Sequence, residues 1–139
     1  FDLSGGQMQR VAIAGVIAMK PQILVLDEPT SQLDPEGSEE VFQVIQSLAQ
    51  EGITILIVEH KLEKIAKFCD KILLLHEGQL IDFNHPQEVF SRDDLKDYGI
   101  MPPVFTRVCR ALDIKNPLTG HYPVTLEEVT QLVKNHEWK

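Results

Sequence analysis

Apolar residues occur along this chain in two kinds of pattern, continuous runs and helical repeats, with turn-forming residues between them. After a polar start at Ser4, the apolar residues from Val11 to Met19 predict a buried helix that ends before Pro21. Two runs, residues 23–26 and 53–58, have the length of strands and are almost wholly apolar. Such runs are typical of strands covered on both faces, so they predict neighbours in a parallel sheet.

Further elements follow at regular intervals. Pro35 can begin a helix whose apolar positions continue to Leu48, and a shorter helix is expected over residues 62–69. Residues 71–76 and 79–84 predict a hairpin closed by a tight turn at Glu77 and Gly78, and Pro86 begins another short helix. The alternation of strand and helix indicates an α/β fold with a mostly parallel sheet.

The pattern changes at about Asp94. A helix is expected after Pro102 and Pro103, then a turn-rich linker over residues 116–123, and then a last helix. Thr125 and Glu128 have the spacing of a capping box for that helix. We therefore expect two parts, residues 1–93 as one α/β part and residues 94–139 as a small helical extension.

Composition narrows the class of protein. Apolar residues make up 43% and charged residues 24% of the 139, which is ordinary for a globular domain. A net charge of −8 argues against general nucleic-acid binding, which needs a basic face. Cys69 and Cys109 are interpreted as reduced core thiols, with a disulfide left open. No apolar run approaches the length needed to span a bilayer.

The first candidate site is Leu3-Ser4-Gly5-Gly6-Gln7, at the start of the first helix. Helix N-termini present unpaired N–H groups and positive potential, and glycine lets an anion approach the backbone closely. Taken alone, the motif is better explained as a helix cap followed by turn glycines.

The second candidate site lies where the two predicted parallel strands end. Asp27 and Glu28 follow the first strand, and His60 follows the second. The carboxyl ends of parallel strands are where α/β proteins bind ligands. A carboxylate there can hold Mg²⁺, and a second can deprotonate water. Acidic residues that end a strand without any function are equally common.

The order of these motifs resembles that of the ABC ATPases. Leu3 to Gln7 matches the ABC signature, residues 23–27 followed by Glu28 match the Walker B segment, and residues 31–34 resemble the D-loop. His60 matches the switch histidine. The resemblance implies a partial P-loop ATPase fold of the ABC type, α/β, with helices flanking the sheet and a helical C-terminal tail.

The resemblance also implies a role for each residue. Asp27 would help to hold Mg²⁺, Glu28 would be the general base, and His60 would contact the γ-phosphate of ATP. Asp34 would couple the two sites of a dimer of ATPase domains. The signature residues would bind ATP held by the opposite domain; these are Leu3, Ser4, Gly5, Gly6 and Gln7.

One family motif does not occur in the sequence. No GxxxxGK(S/T) phosphate-binding loop is present, so we expect a fragment that hydrolyses nothing by itself. In the family, the strand that carries this loop lies between the strands matching residues 53–58 and 71–75. Its absence predicts a gap in the sheet and poor stability of the isolated chain.

Several weaker features resemble the energy-coupling-factor importers and the related cobalt and nickel systems: Gln32 in the D-loop, Glu59 before His60, and the proline-rich tail. That resemblance implies a homo- or heterodimer of ATPase domains at the cytoplasmic face of the membrane. Its partners would be a transmembrane coupling protein and a membrane protein that binds a vitamin or a transition-metal ion. The tail would be a docking or dimerisation segment.

Two alternatives remain. One is an ABC ATPase of DNA repair or ribosome function, although neither heptad arms nor basic linkers occur in these residues. The other is a non-catalytic ABC scaffold, against which the presence of Glu28 and His60 argues.

Overall fold

The computed structural model of the protein describes residues 3–135. For Gly5 and Asn135 it describes only the helical backbone. The elements follow in this order: α1 (Gly5–Ile17), β1 (Ile23–Asp27), α2 (Pro35–Gln50), β2 (Thr54–Val58), α3 (Leu62–Phe68), β3 (Ile72–His76), β4 (Gln79–Asn84), α4 (Pro86–Phe90), a 3-10 helix (Leu95–Tyr98), α5 (Val104–Ala111) and α6 (Leu126–Asn135). They form two compact units, which we call unit 1 (Phe1–His60) and unit 2 (Lys61–Lys139).

Unit 1 is built on a parallel pair of strands. β1 and β2 pair in register from Ile23 opposite Thr54 to Asp27 opposite Val58. The core lies on one face of this pair, where side chains of both strands meet α2 and the end of α1. Its buried residues are Leu24, Leu26, Val41, Ile45 and Leu48, with Ile13, Ile17 and Leu33 among the partly buried residues around them. The α/β class and the parallel pairing are confirmed.

Two expectations about unit 1 are wrong. Both strands were expected to be covered on both faces, but the face opposite the core is exposed within the described residues, at Ile23, Val25, Leu56 and Val58. The first helix was expected to be buried and to reach Met19. It ends at Ile17, and Met8 and Val11 are exposed because its inner side alone contacts the core.

Unit 2 contains the predicted hairpin. β3 and β4 are antiparallel, and the turn between them places Glu77 and Gly78 at positive φ, 48° and 76°, as a two-residue turn of this kind requires. In the described residues this hairpin forms a sheet of its own, separate from β1 and β2. A mostly parallel sheet was expected from the sequence. The described residues instead form one parallel pair and one antiparallel pair of strands.

The tail contributes to the core of unit 2. Leu95 in the 3-10 helix and Val124 after the linker are buried with Ala66, Leu74 and Phe90. Thr106 of α5 is fully buried, and its hydroxyl donates to the Pro123 carbonyl at 2.9 Å. The linker was expected to be turn-rich, yet its end is fixed in the core. The division at residue 93 stays a prediction.

The last helix begins with a variant of the predicted capping box. The Glu128 N–H donates to Thr125 Oγ1 at 3.3 Å, while Glu128 Oε2 accepts from the N–H of Val124 rather than that of Thr125. Within residues 3–135, no helix is both long and apolar enough to cross a membrane.

Candidate functional site

Glu28 and His60 lie side by side, although 32 positions separate them in the sequence. β1 and β2 are parallel and end opposite each other, at Asp27 and Val58, so the residues that follow leave the sheet at the same edge. The N–H of Glu28 donates to the Val58 carbonyl at 2.9 Å, which extends this pairing by one step. His60 Nε2 is then 2.8 Å from Glu28 Oε1. When the carboxylate is ionised it can only accept, and the Nε2–H of the imidazole then donates this hydrogen bond.

This pair is open to solvent. The side chain of His60 is 81% exposed and that of Glu28 is 44% exposed. An ion pair this exposed contributes little to stability, because water screens it and two side chains lose freedom. The two groups are instead accessible to a ligand that approaches the end of the strands.

The backbone of Glu28 adopts an unusual conformation. Its φ is 44°, in the left-handed region that a residue with a Cβ rarely occupies. Its carbonyl accepts from the N–H of Ser31 at 3.1 Å and from Gln9 Nε2 of α1 at 3.3 Å. Strain of this kind costs on the order of 1–3 kcal/mol and persists where surrounding contacts enforce it, commonly at active sites.

Asp27 is the candidate magnesium ligand. It is exposed, at the last position of β1 and next to Glu28. Within residues 3–135 no group of three or more His, Cys, Asp or Glu side chains could hold a metal ion. A single carboxylate suits Mg²⁺ nevertheless, because this ion keeps several waters and takes its other ligands from substrate phosphates.

The signature residues form the N-terminus of α1. Ser4 Oγ accepts from the Gln7 N–H at 3.3 Å, and Gln7 Oε1 accepts from the Ser4 N–H at 2.9 Å, which is a complete capping box. These two side chains are thus used in the helix cap. Leu3 is exposed beside them. An anion here would meet the first-turn N–H groups of Gly5 and Gly6, which have no partner within an α-helix.

Gly6 also has a packing role. A Cβ at this position would lie 2.7 Å from Leu33 Cδ2, which is closer than real Cβ contacts. Leu33 belongs to the segment that resembles the D-loop, so the signature helix and that segment approach each other closely at this glycine.

Asp34 is the N-cap of α2. Its Oδ1 accepts from the N–H of Gly37 at 2.8 Å, and Pro35 occupies the first turn. A local structural role therefore accounts for this carboxylate within unit 1, and the predicted coupling across a dimer stays a prediction.

Three residues around the site were missed by the sequence reasoning. Thr30 is fully buried, and its hydroxyl donates to Glu59 Oε1. Glu59 Oε2 accepts from the N–H of His60 at 3.0 Å. Gln9 connects α1 to Glu28, as described above. Glu59 was noticed only as a subfamily feature, and nothing in the pattern indicated that Thr30 would be buried.

The two cysteines are free thiols. Burial, with a smaller contribution from Asp70, raises the pKa of Cys69 to about 11, and burial also raises the pKa of Cys109. Neither is a candidate nucleophile, because the reactive species is the thiolate.

The model of a known family, the ABC transporter family, matches residues 1–31. The energy-coupling factor transporter ATP-binding protein EcfA2 of Streptococcus sanguinis is 40% identical over 134 residues, which is 96% of this chain and 48% of that protein. EcfA2 of Streptococcus pyogenes serotype M5 is 41% identical over 97% of the chain and 49% of its own length. The chain thus spans about half the length of the curated relatives it matches.

Solved structures of ABC transporter proteins and ATP-binding cassettes are also similar to this chain. CbiO1 of Clostridium perfringens, part of the ABC transporter complex CbiONQ, is 37% identical with a TM-score of 0.59, over 85% of this chain and 42% of that one. A nucleotide-free ATP-binding cassette from an ABC transporter has a TM-score of 0.65 at 29% identity, over 72% and 41% of the two chains. A dimeric bacterial ABC transporter cassette has a TM-score of 0.55 at 37% identity, over 60% and 36%.

Proposed function

This chain belongs to the ABC transporter ATPase family, and from that membership we propose that it supplies the water-activating part of an ATP-hydrolysing transport subunit. The observation that carries the proposal is the 2.8 Å contact between His60 Nε2 and Glu28 Oε1 at the end of two parallel strands. It joins two residues that can act on one water and one phosphate.

Each residue has a proposed part in hydrolysis. Glu28 Oε1 or Oε2 accepts a proton from the attacking water, which needs an accessible carboxylate such as this one. His60 orients that carboxylate through Nε2. Its imidazole would also contact a γ-phosphate oxygen of bound ATP. Asp27 would hold Mg²⁺, which would neutralise charge on the phosphates.

The signature residues complete the proposal. Leu3 to Gln7 present the N-terminus of α1 to the γ-phosphate of ATP held by a second ATPase domain, in a homo- or heterodimer. Backbone N–H groups of Gly5 and Gly6 carry this contact, together with the Ser4 hydroxyl, which accepts a hydrogen bond in the cap and keeps its own hydrogen to donate. Asp34 begins α2 close to the same segment and is proposed to couple the two sites. A phosphate-binding loop is required in addition to the residues of this chain.

The names of the relatives support a place in an importer. EcfA2 is an energy-coupling factor transporter protein, and CbiO1 is part of an ABC transporter complex. We propose a peripheral subunit at the cytoplasmic face of the membrane, bound to a transmembrane coupling protein and to a membrane protein that binds a vitamin or a transition-metal ion. These relatives favour transport over DNA repair or ribosome function.

The test uses the complete product of the gene that encodes this chain. Glu28→Gln should lower kcat for ATP hydrolysis by about 10²–10⁴-fold while ATP is still bound, because only the proton acceptor is lost. Glu51→Gln is the matched control, since Glu51 is exposed at the end of α2 and removes the same charge. ATP should also cause the Glu28→Gln protein to dimerise in light scattering. Unchanged hydrolysis in Glu28→Gln would overturn the proposal.

A further inference from the structure

The carboxylate of Glu59 connects the segments that carry Glu28 and His60. Its Oε1 accepts from the hydroxyl of Thr30, two residues after Glu28, and its Oε2 accepts from the backbone N–H of His60 at 3.0 Å. One side chain thus uses both oxygens, one on each of the two segments that leave the parallel strands.

Burial makes the Thr30 end of this connection specific. Thr30 is 0% exposed, and a buried hydroxyl without a partner is destabilising, so its hydrogen bond to Glu59 is the favoured arrangement. An ionised acceptor also makes the bond stronger than one between neutral groups. The position of the Thr30 hydroxyl is therefore fixed, and Glu59 is half-buried beside it.

The His60 end needs such support. With 81% of its side chain exposed, the imidazole has few packing contacts to set its position. Its orientation depends on the backbone of residue 60, whose N–H is held by Glu59. A displacement of this backbone would move Nε2 away from Glu28 Oε1.

We propose that Glu59 is a positioning residue, which holds His60 against Glu28 by tying the His60 backbone to the buried Thr30 hydroxyl. The importance of this for catalysis rests on the proposed function of Glu28 and His60. Glu59 itself touches neither water nor phosphate in this scheme, so it acts through His60.

The variants are chosen by which hydrogen bonds of Glu59 and Thr30 they remove or keep. Glu59→Met keeps the approximate length of the side chain but replaces both carboxylate oxygens with a thioether that is at most a weak acceptor, so it can hold neither the Thr30 hydroxyl nor the His60 N–H. Thr30→Val keeps the shape of the buried side chain and removes its hydroxyl, whereas Thr30→Ser keeps the hydroxyl. Glu51→Gln again serves as the control for loss of one exposed negative charge.

Kinetics of the complete gene product test the effect on the reaction. Glu59→Met and Thr30→Val should each lower kcat by about 10- to 100-fold with little change in KM for ATP, because misplacement of an aligned group acts on the chemical step. Thr30→Ser should retain activity close to that of the unmodified protein. In a His60→Ala background, Glu59→Met should have no further effect. Full activity of Glu59→Met, or an undiminished loss in that background, would overturn the inference.

Nuclear magnetic resonance of the 139-residue chain separates this inference from the proposed function. Glu59→Met should shift the ring signals of His60 and speed hydrogen exchange of its backbone amide, while Glu51→Gln leaves both unchanged. Unchanged His60 signals in a folded Glu59→Met chain would refute the positioning role even if Glu28→Gln is inactive. Conversely, an active Glu28→Gln protein would refute the proposed function alone. Circular dichroism shows whether each variant is folded.

Discussion

Units 1 and 2 use their charged residues in opposite ways. In unit 2, Arg92 donates to Asp82 at 2.9 Å and to Asp94 at 2.6 Å, and the Tyr98 hydroxyl also donates to Asp94. In unit 1, Glu28 and His60 form an exposed pair at the ends of two strands, and Glu28 has a left-handed backbone.

The difference separates charged residues that stabilise the fold from those of the candidate site. The Arg92 network joins β4 to the start of the 3-10 helix, and its acceptors surround a single partly buried guanidinium. Its arrangement is explained by the fold it supports. The Glu28–His60 pair adds little stability and is accompanied by backbone strain, so stability does not explain it. The proposed role of the pair in ATP hydrolysis does explain it.

The largest stability effect is expected in the core of unit 2. Leu95→Ala should lower the free energy of unfolding of the chain by about 2–5 kcal/mol, because Leu95 is 2% exposed among other apolar side chains. Leu118→Ala is the control, since Leu118 is 93% exposed. Urea denaturation followed by circular dichroism measures both. Equal midpoints for the two variants would show that the tail does not contribute to the core.

A smaller effect is expected at Gly6 in unit 1. Gly6→Ala should lower the free energy of unfolding by at most about 1–3 kcal/mol, because the new Cβ overlaps Leu33 Cδ2 and the end of that side chain has to shift. Adding Leu33→Ala should recover part of this loss in the same denaturation experiment. If the double variant is no more stable than Gly6→Ala, packing against Leu33 is not the reason for this glycine. If the complete gene product with both substitutions has low ATPase activity although its stability is recovered, Gly6 has an additional role at the phosphate.

Substitutions of Asp34 test whether this residue of unit 1 has a structural role, a functional role or both. Asp34→Ala should lower the free energy of unfolding by about 0.5–2 kcal/mol through loss of the N-cap, whereas Asp34→Asn should keep the cap. Thermal denaturation distinguishes them. If Asp34 also couples two sites, Asp34→Asn should lower ATPase activity of the complete product at unchanged stability. Unchanged activity would leave the cap as its role.

The smallest stability effect is expected when the pH is lowered and Asp94 of unit 2 becomes protonated. Hydrogen bonds from Arg92 lower the pKa of Asp94 below its ordinary value. The resulting stability is fully present above the unfolded pKa, about 3.9, and is lost as the pH falls through the folded pKa. Solvent screening weakens it, because 40% of the Asp94 side chain is exposed.

Urea midpoints between pH 6 and pH 2.5 measure this dependence. The unmodified chain should lose stability more steeply below pH 4 than Asp94→Asn does. Asp97→Asn, an exposed position in the 3-10 helix that Asp94 precedes, should behave like the unmodified chain. Parallel curves for all three would show that Arg92 does not stabilise ionised Asp94.

Elements whose signals are local were predicted well. The cap at Ser4, the prolines at the starts of α2 and α4, and the turn at Glu77 and Gly78 all depend on residues within a few positions of one another. The candidate residues Asp27, Glu28 and His60 could be named for the same reason, since each lies within two residues of the end of an apolar run.

Burial was predicted less well. The run at residues 23–26 indicated two covered faces, yet Val25 is 62% exposed among the described residues while Leu24 is 2% exposed. Leu95 and Val124 were not singled out, although both are core residues. Hydrophobicity alone does not determine which apolar side chains find partners, because those partners come from distant parts of the chain.

The sequence by itself determined the order of strands and helices and the positions of the acidic residues and the histidine at strand ends, because propensity, capping and turn chemistry act over a few residues. Only the tertiary structure decided that Glu28 and His60 meet, and that Glu59 ties His60 to a buried Thr30. Those contacts depend on the parallel register of β1 and β2, which is set by side chains that pack together from positions about thirty residues apart.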